Sequence, residues 1–69
     1  MPLTMAKAGE EQLIKKIGGK TEVRQFIETL GLTPGSTVTV ITEIGGNIIV
    51  SVKDSRVAIS REMANKILV

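Results

Sequence analysis

The spacing of the apolar residues changes at Pro34-Gly35, and this change constrains the fold more than any other feature of the sequence. Before it, four apolar residues recur at positions i, i+3, i+4 and i+7, which predicts an amphipathic helix over residues 21–30. From Ser36 onward, apolar and polar residues alternate instead, and this pattern is typical of strands. The chain should therefore combine one helix with a second half made of strands. The four residues of the helical stripe are Val23, Phe26, Ile27 and Leu30.

The residues that flank this stripe predict where the helix begins and ends. Thr21 is a suitable N-cap residue. Gly31 is placed to adopt the left-handed conformation that ends a helix, and Leu32 offers the hydrophobic contact that often accompanies that cap. We expect the stripe to face the core. If Phe26 is buried there, its truncation to alanine should lower the free energy of unfolding by about 3–5 kcal/mol.

The alternating half of the chain predicts three consecutive strands, a short helical turn and a last strand. Gly45-Gly46-Asn47 predicts the first hairpin loop, and Asp54-Ser55 the second tight connection. Ser60 should cap a helical turn over residues 61–65, and residues 67–69 would form a strand that closes the sheet against an earlier one. We expect the strand side chains Val38, Val40, Val50, Val52, Val57 and Ile59 to lie in the core with the helical stripe.

The first twenty residues are less decisive. Residues 1–9 read as a turn or a single helical loop, and residues 10–17 fit either a helix or a strand because a short apolar pattern has no unique period. Val, Ile and Thr together supply 23 of the 69 residues, which favours a β-rich fold. Strands in so short a chain favour a small barrel, since closure protects their edges. A chain of this length should form a single domain over residues 1–69.

The residue types present argue against an enzyme or a metal protein. The sequence contains no histidine and no cysteine, so the commonest catalytic base and the commonest transition-metal ligands are missing. The seven acidic residues, at positions 10, 11, 22, 28, 43, 54 and 62, show no convincing ligand spacing. We therefore predict no catalytic residue, no cofactor and no metal ligand in this chain.

Charge and hydropathy bear on the remaining partner classes. The formal net charge is +2, and Lys15, Lys16, Lys20 and Arg24 form a loose basic cluster. Single-stranded nucleic acids are usually bound on several aromatic side chains, and this sequence has one, so a nucleic acid partner is the minority hypothesis. No apolar run is longer than three residues, as at Ile48-Ile49-Val50, and the N-terminal residues lack the apolar stretch of a signal peptide. We expect a cytoplasmic protein without membrane insertion.

Several motifs in order resemble a known family. Leu30-Gly31-Leu32-Thr33-Pro34-Gly35, followed by Val38 and Val40, resembles the LGLxPGxxVxV core of the ferrous iron transport protein A (FeoA) family. The segment from Arg61 to Ile67 resembles the closing R-x-x-A-x-x-I turn of that family, and the resemblance covers nearly the whole chain. Asp54 departs from the pattern, because a glycine is frequent there.

The resemblance implies a fold and a role. The fold would be mainly β with one inserted helix, a small SH3-like β-barrel. Members of the family serve bacterial ferrous iron uptake as cytosolic accessories of the membrane transporter FeoB, whose N-terminal portion is a GTPase. A similar barrel is appended to metal-dependent repressors of the diphtheria-toxin-repressor class.

The sequence and the resemblance together favour a non-enzymatic accessory that docks onto the cytosolic GTPase region of a FeoB-type transporter. Two alternatives stay open: a small nucleic-acid-binding barrel, and a stand-alone relative of the repressor barrel that acts as a protein-interaction module. Weak self-association of the protein also stays open. Ile49 could pack under the N-terminal segment instead of contacting a partner. The candidate docking residues are the aliphatic Leu32, Ile44 and Ile49, and the basic Arg24, Arg56 and Arg61.

Overall fold

A four-stranded antiparallel sheet forms the body of the molecule, and the computed structural model describes all residues from 1 to 69. In chain order the elements are a 3-10 turn (Leu3–Met5), β1 (Glu11–Leu13), β2 (Lys16–Ile17), α1 (Thr21–Thr29), β3 (Thr37–Ile44), β4 (Asn47–Val52), β5 (Ser55–Ser60), α2 (Arg61–Ala64) and β6 (Ile67–Leu68). The strand order of the sheet is β1-β3-β4-β5, and β2 and β6 form a separate antiparallel pair. Neither helix has the length and apolar character that crossing a membrane requires.

Helix α1 begins at Thr21 and ends before Gly31 as predicted, but its N-cap residue is not the predicted one. Its N-cap residue is Lys20, with an extended backbone and no side-chain capping bond, so the expectation that Thr21 caps the helix was wrong. At the other end, Gly31 has φ +91°. The Gly31 N–H donates to Glu28 O at 2.9 Å, and the Leu32 N–H donates to Ile27 O at 3.4 Å. These two bonds are those of a Schellman cap, which requires the left-handed conformation at Gly31.

The two hairpins of the sheet use two-residue turns. Ile44 pairs with Asn47, so the first loop consists of Gly45 and Gly46 alone, with φ of +54° and +83°. The second turn lies one residue earlier than predicted, since Val52 pairs with Ser55 and the loop is Lys53-Asp54. Positive φ at both loop positions matches the right-handed twist of the flanking strands.

The second turn offers a stabilising substitution. Lys53 and Asp54 have φ of +48° and +64°, which side chains disfavour and which an Asn-Gly pair adopts readily. We expect the double substitution Lys53→Asn with Asp54→Gly to raise the free energy of unfolding by about 1 kcal/mol, as measured by urea denaturation. Gly46→Ala in the other turn is the matched control and should lower it by a similar amount. A double variant less stable than the wild type would contradict this account of the turn.

The ambiguous segment before α1 forms strands because each half finds a partner far along the chain. Glu11–Leu13 pairs with the first part of β3, and Ile17 pairs with Ile67 of β6. A last strand is therefore confirmed, but it covers only Ile67–Leu68 and pairs with β2 in a separate sheet instead of closing the four-stranded one. The predicted cap of α2 is also confirmed, since the Met63 N–H donates to Ser60 Oγ at 3.2 Å, although the helix ends at Ala64.

The core lies between the sheet, α1, α2 and the two chain termini. Five of the six predicted strand residues are confirmed in it, and so is Ile27; the sixth, Val57, is half-buried and packs against the core, as do Val23 and Leu30. Phe26, in contrast, is 54% exposed, so its predicted burial was wrong. It lies one residue before Ile27, about 100° away around the helix axis, at the edge of the face that meets the core. The buried residues are Leu3, Ile14, Ile17, Ile27, Leu32, Val38, Val40, Ile48, Val50, Val52, Ile59, Ala64, Ile67 and Val69.

Candidate functional site

Helices α1 and α2 border an open groove of about 440 Å³ at the surface. The groove forms because α2 is only four residues long and packs against β4, β5 and the 3-10 turn. It therefore leaves one flank of α1 uncovered. The residues that line the groove are Glu22, Val23, Phe26, Ser60, Glu62, Met63 and Lys66.

The local structure of both helices places these side chains. On α1, Glu22 and Phe26 are four residues apart and therefore lie on one face of the helix. On the opposite wall, the Ser60 cap starts α2 and so places Glu62 and Met63 in its first turn. Lys66 follows after the helix, where its N–H donates to Met63 O at 3.0 Å and its carbonyl accepts from the Gly18 N–H at 2.7 Å.

The floor of the groove is apolar and continuous with the core. Val23 and Met63 are half-buried and pack against the core residues. The ring of Phe26, the only aromatic side chain of the protein, lies beside them with more than half of its surface exposed. Half-buried apolar side chains beside an exposed ring form an apolar patch that a partner could cover.

Charged side chains surround this apolar floor without pairing to each other. The single ion pair of the structure joins Arg61 to Glu43 outside the groove, and both side chains are about half exposed. Such exposed pairs contribute roughly 0–1 kcal/mol. Glu22 and Glu62 thus face the groove without a salt-bridge partner, and so does Lys66. No three acidic residues converge in a way that could hold a metal ion.

A second apolar surface lies on the outer face of the sheet. The register pairs Ile49 with Thr42 and with Ala58, and two residues along β3 the same face carries Ile44. Arg56 lies two residues from Ala58 and projects to the same face. Three of the predicted docking residues, Ile44, Ile49 and Arg56, therefore share one surface.

The structure separates the other predicted docking residues. Leu32 is fully buried, so its prediction as a docking residue was wrong. It follows Gly31 in the Schellman cap of α1, and its side chain makes the hydrophobic contact with the core that is common in such caps. Arg24 is exposed on α1 but does not line the groove, and Arg61 pairs with Glu43. Ile49 is half-exposed and is not part of the core cluster.

The groove residues were missed as candidates from the sequence. Val23 and Phe26 matched the helical stripe and were assigned to the core, and Met63 belonged to a helical turn too short to show a pattern. One signal was present: Phe26 is a single aromatic residue at the edge of an otherwise aliphatic stripe.

The strand topology and the helix between β2 and β3 define a small SH3-like β-barrel, mainly β with one inserted helix. A family model, described as the FeoA domain, matches residues 1–69. The chain belongs to the FeoA family, and the resemblance of its motifs to that family is confirmed.

Relatives with names and solved structures agree with this assignment. The chain is 41% identical over 68 residues to a Methanocaldococcus jannaschii protein assigned the name Fe(2+) transport protein A, and the match covers 99% of this chain and 83% of the relative. It is also similar to the crystal structure of an iron uptake regulatory protein, FeoA, with 32% identity, a TM-score of 0.89, and coverage of 97% of this chain and 91% of that one. A manganese-dependent transcriptional repressor shares the fold, with 18% identity and a TM-score of 0.86 over 97% of this chain and 39% of that one.

Proposed function

We propose that this protein is a non-enzymatic accessory of ferrous iron uptake that acts in the cytoplasm by docking onto the cytosolic GTPase region of a FeoB-type membrane transporter. The observation that carries the proposal is the apolar α1/α2 groove with the exposed Phe26 in a member of the FeoA family. More than half of the surface of this ring is in contact with solvent and is therefore free to contact a partner.

The residue types support contact with a partner as the protein's contribution to transport. Iron is the cargo in this proposal, and the sequence offers neither the imidazole nor the thiolate ligands that transition metals favour. What the chain does present is apolar surface beside unpaired charge, which is the anatomy of a protein interface.

Purified protein titrated into the transporter's isolated cytosolic region should give saturable binding in a calorimetric measurement. The apolar groove supplies the reason, because covering its floor removes apolar surface from water. Full-length transporter in detergent is the second partner to test. An absence of association with both the isolated region and the full transporter would overturn the proposal.

The same preparation separates this function from nucleic acid binding. Lys15, Lys16, Lys20 and Arg24 are all exposed, so a phosphate backbone could reach them. An oligonucleotide titration should show no binding at low salt. A signal that falls with a logarithmic slope of about −0.9 per neutralised phosphate would instead assign the barrel to duplex DNA.

A further inference from the structure

The walls of the α1/α2 groove restrict what can bind there. The lining consists mostly of side chains of the two helices, and the edge strand β5 reaches the groove only at its last residue, Ser60, so an incoming strand would find little sheet edge to extend. Proline-rich segments dock in grooves lined by several aromatic side chains, and Phe26 is the only one here. A helix that binds through its apolar side chains is the remaining common mode of peptide recognition, and it suits an apolar floor between two helices.

The charges of the groove restrict the occupant further. Each wall contributes one carboxylate, Glu22 from α1 and Glu62 from α2, and neither has a salt-bridge partner. Lys66 is the only cation that lines the groove. Its lining therefore carries a formal excess of one negative charge, which complements basic residues on the flanks of an apolar stripe.

We propose that the α1/α2 groove is the docking surface for the transporter, and that its occupant is a short amphipathic helix of the transporter's cytosolic part with Lys or Arg beside its apolar stripe. This inference rests on the proposed function. Phe26 and Met63 supply the apolar contact, and Glu22 and Glu62 orient the helix through its basic flanks.

The outer face of the sheet is the competing surface, and it is less suited to this role. Ile44 and Ile49 are flanked in the register by the polar Thr42 and Asn47 and by the small Ala58. A sheet face also offers no concave site into which a side chain could insert, whereas interface hot spots cluster in well-packed pockets.

Two matched pairs of variants test the groove. In the first pair, Phe26→Ala removes the exposed ring of the groove, and Ile44→Ala removes an exposed side chain of the sheet. Both residues are more than half exposed, so both variants should fold. We expect Phe26→Ala to weaken binding to the transporter's cytosolic region about 10- to 100-fold. Ile44→Ala should change it less than about threefold.

The second pair tests the charges. The double variant Glu22→Gln with Glu62→Gln should weaken binding about 3- to 10-fold and flatten its dependence on salt. Glu28→Gln is the control, since Glu28 is exposed on α1 but does not line the groove, and it should bind as the wild type does. In amide NMR spectra of the full chain, addition of the transporter region should shift resonances of α1 and α2 and leave those of β1 and of its partner residues 37–39 in β3 unchanged.

The outcomes separate the two proposals. If the wild-type protein and Phe26→Ala bind equally well, the proposal that the groove is the docking surface is overturned, and the proposed function still stands. Equal losses in Phe26→Ala and Ile44→Ala would also overturn the groove, because the sheet would then share the interface. A wild-type protein that fails to bind the isolated region and the full transporter would overturn both.

Discussion

Deletion of residues 67–69 should leave a chain that does not fold at room temperature. The three residues contain β6, which pairs with β2 through Ile17 and Ile67. They also contain two core side chains, Ile67 at 0% and Val69 at 6% exposure. Burial of each such side chain contributes about 1.5–3 kcal/mol, and a domain of this length has a total stability of roughly 3–10 kcal/mol.

The same residues also hold the N-terminal segment. The Lys15 N–H donates to Leu68 O at 2.8 Å, and the Val69 N–H donates to Met1 O at 2.8 Å. Pro2 forms an isolated bridge with Leu68. The deletion would therefore also free the 3-10 turn that carries the buried Leu3, because the contacts of Met1 and Pro2 with the last residues would be lost.

Far-UV circular dichroism and the dispersion of the amide NMR spectrum would measure this loss. Leu68→Ala is the matched control. It keeps every backbone bond of β6 and both buried side chains, and Leu68 itself is only half-buried. The control should remain folded. A deletion variant with the dispersed spectrum of the wild type would show that the two-stranded pair contributes little.

Ile27→Ala should lower the free energy of unfolding by about 2–5 kcal/mol, which is a large part of the stability of this chain. Ile27 is fully buried, and its carbonyl accepts the Leu32 N–H in the cap of α1. Truncation would leave a cavity between α1 and the sheet. The better helix propensity of alanine would offset only a few tenths of a kcal/mol.

The adjacent residue provides the control for this prediction. Phe26→Ala removes a larger side chain from the same helix, yet we expect it to cost less than about 1 kcal/mol because the ring is 54% exposed. Urea denaturation followed by far-UV circular dichroism suits both variants, since the protein lacks tryptophan and tyrosine. Equal losses of stability in the two variants would mean that Phe26 is packed in the core after all.

The contrast between these two neighbours has a functional consequence. A variant that keeps its stability and loses its partner identifies an interface residue, whereas one that loses both does not. Phe26 belongs to the first kind in this account, and Ile27 to the second. The two substitutions together therefore separate the folding role of α1 from its role as one wall of the groove.

The local features of the fold could be predicted from the sequence because short-range rules determine them. A glycine after an apolar stripe indicated the cap at Gly31, and a serine before a polar turn indicated the cap at Ser60. Alternation of apolar residues indicated the inward faces of β3, β4 and β5 in the same way. The motifs around Pro34-Gly35 indicated the family.

Long-range packing decided the rest. Residues 11–13 and 16–17 form strands because β3 and β6 offer backbone partners to them, and no local pattern contained that information. Tertiary packing also explains why Leu32, predicted at a docking surface, is buried, and why Phe26, predicted in the core, is exposed. The sequence determined that both are apolar and border α1, but only the tertiary structure decided which one the core covers, since the Schellman cap turns Leu32 inward and the short α2 leaves Phe26 in water.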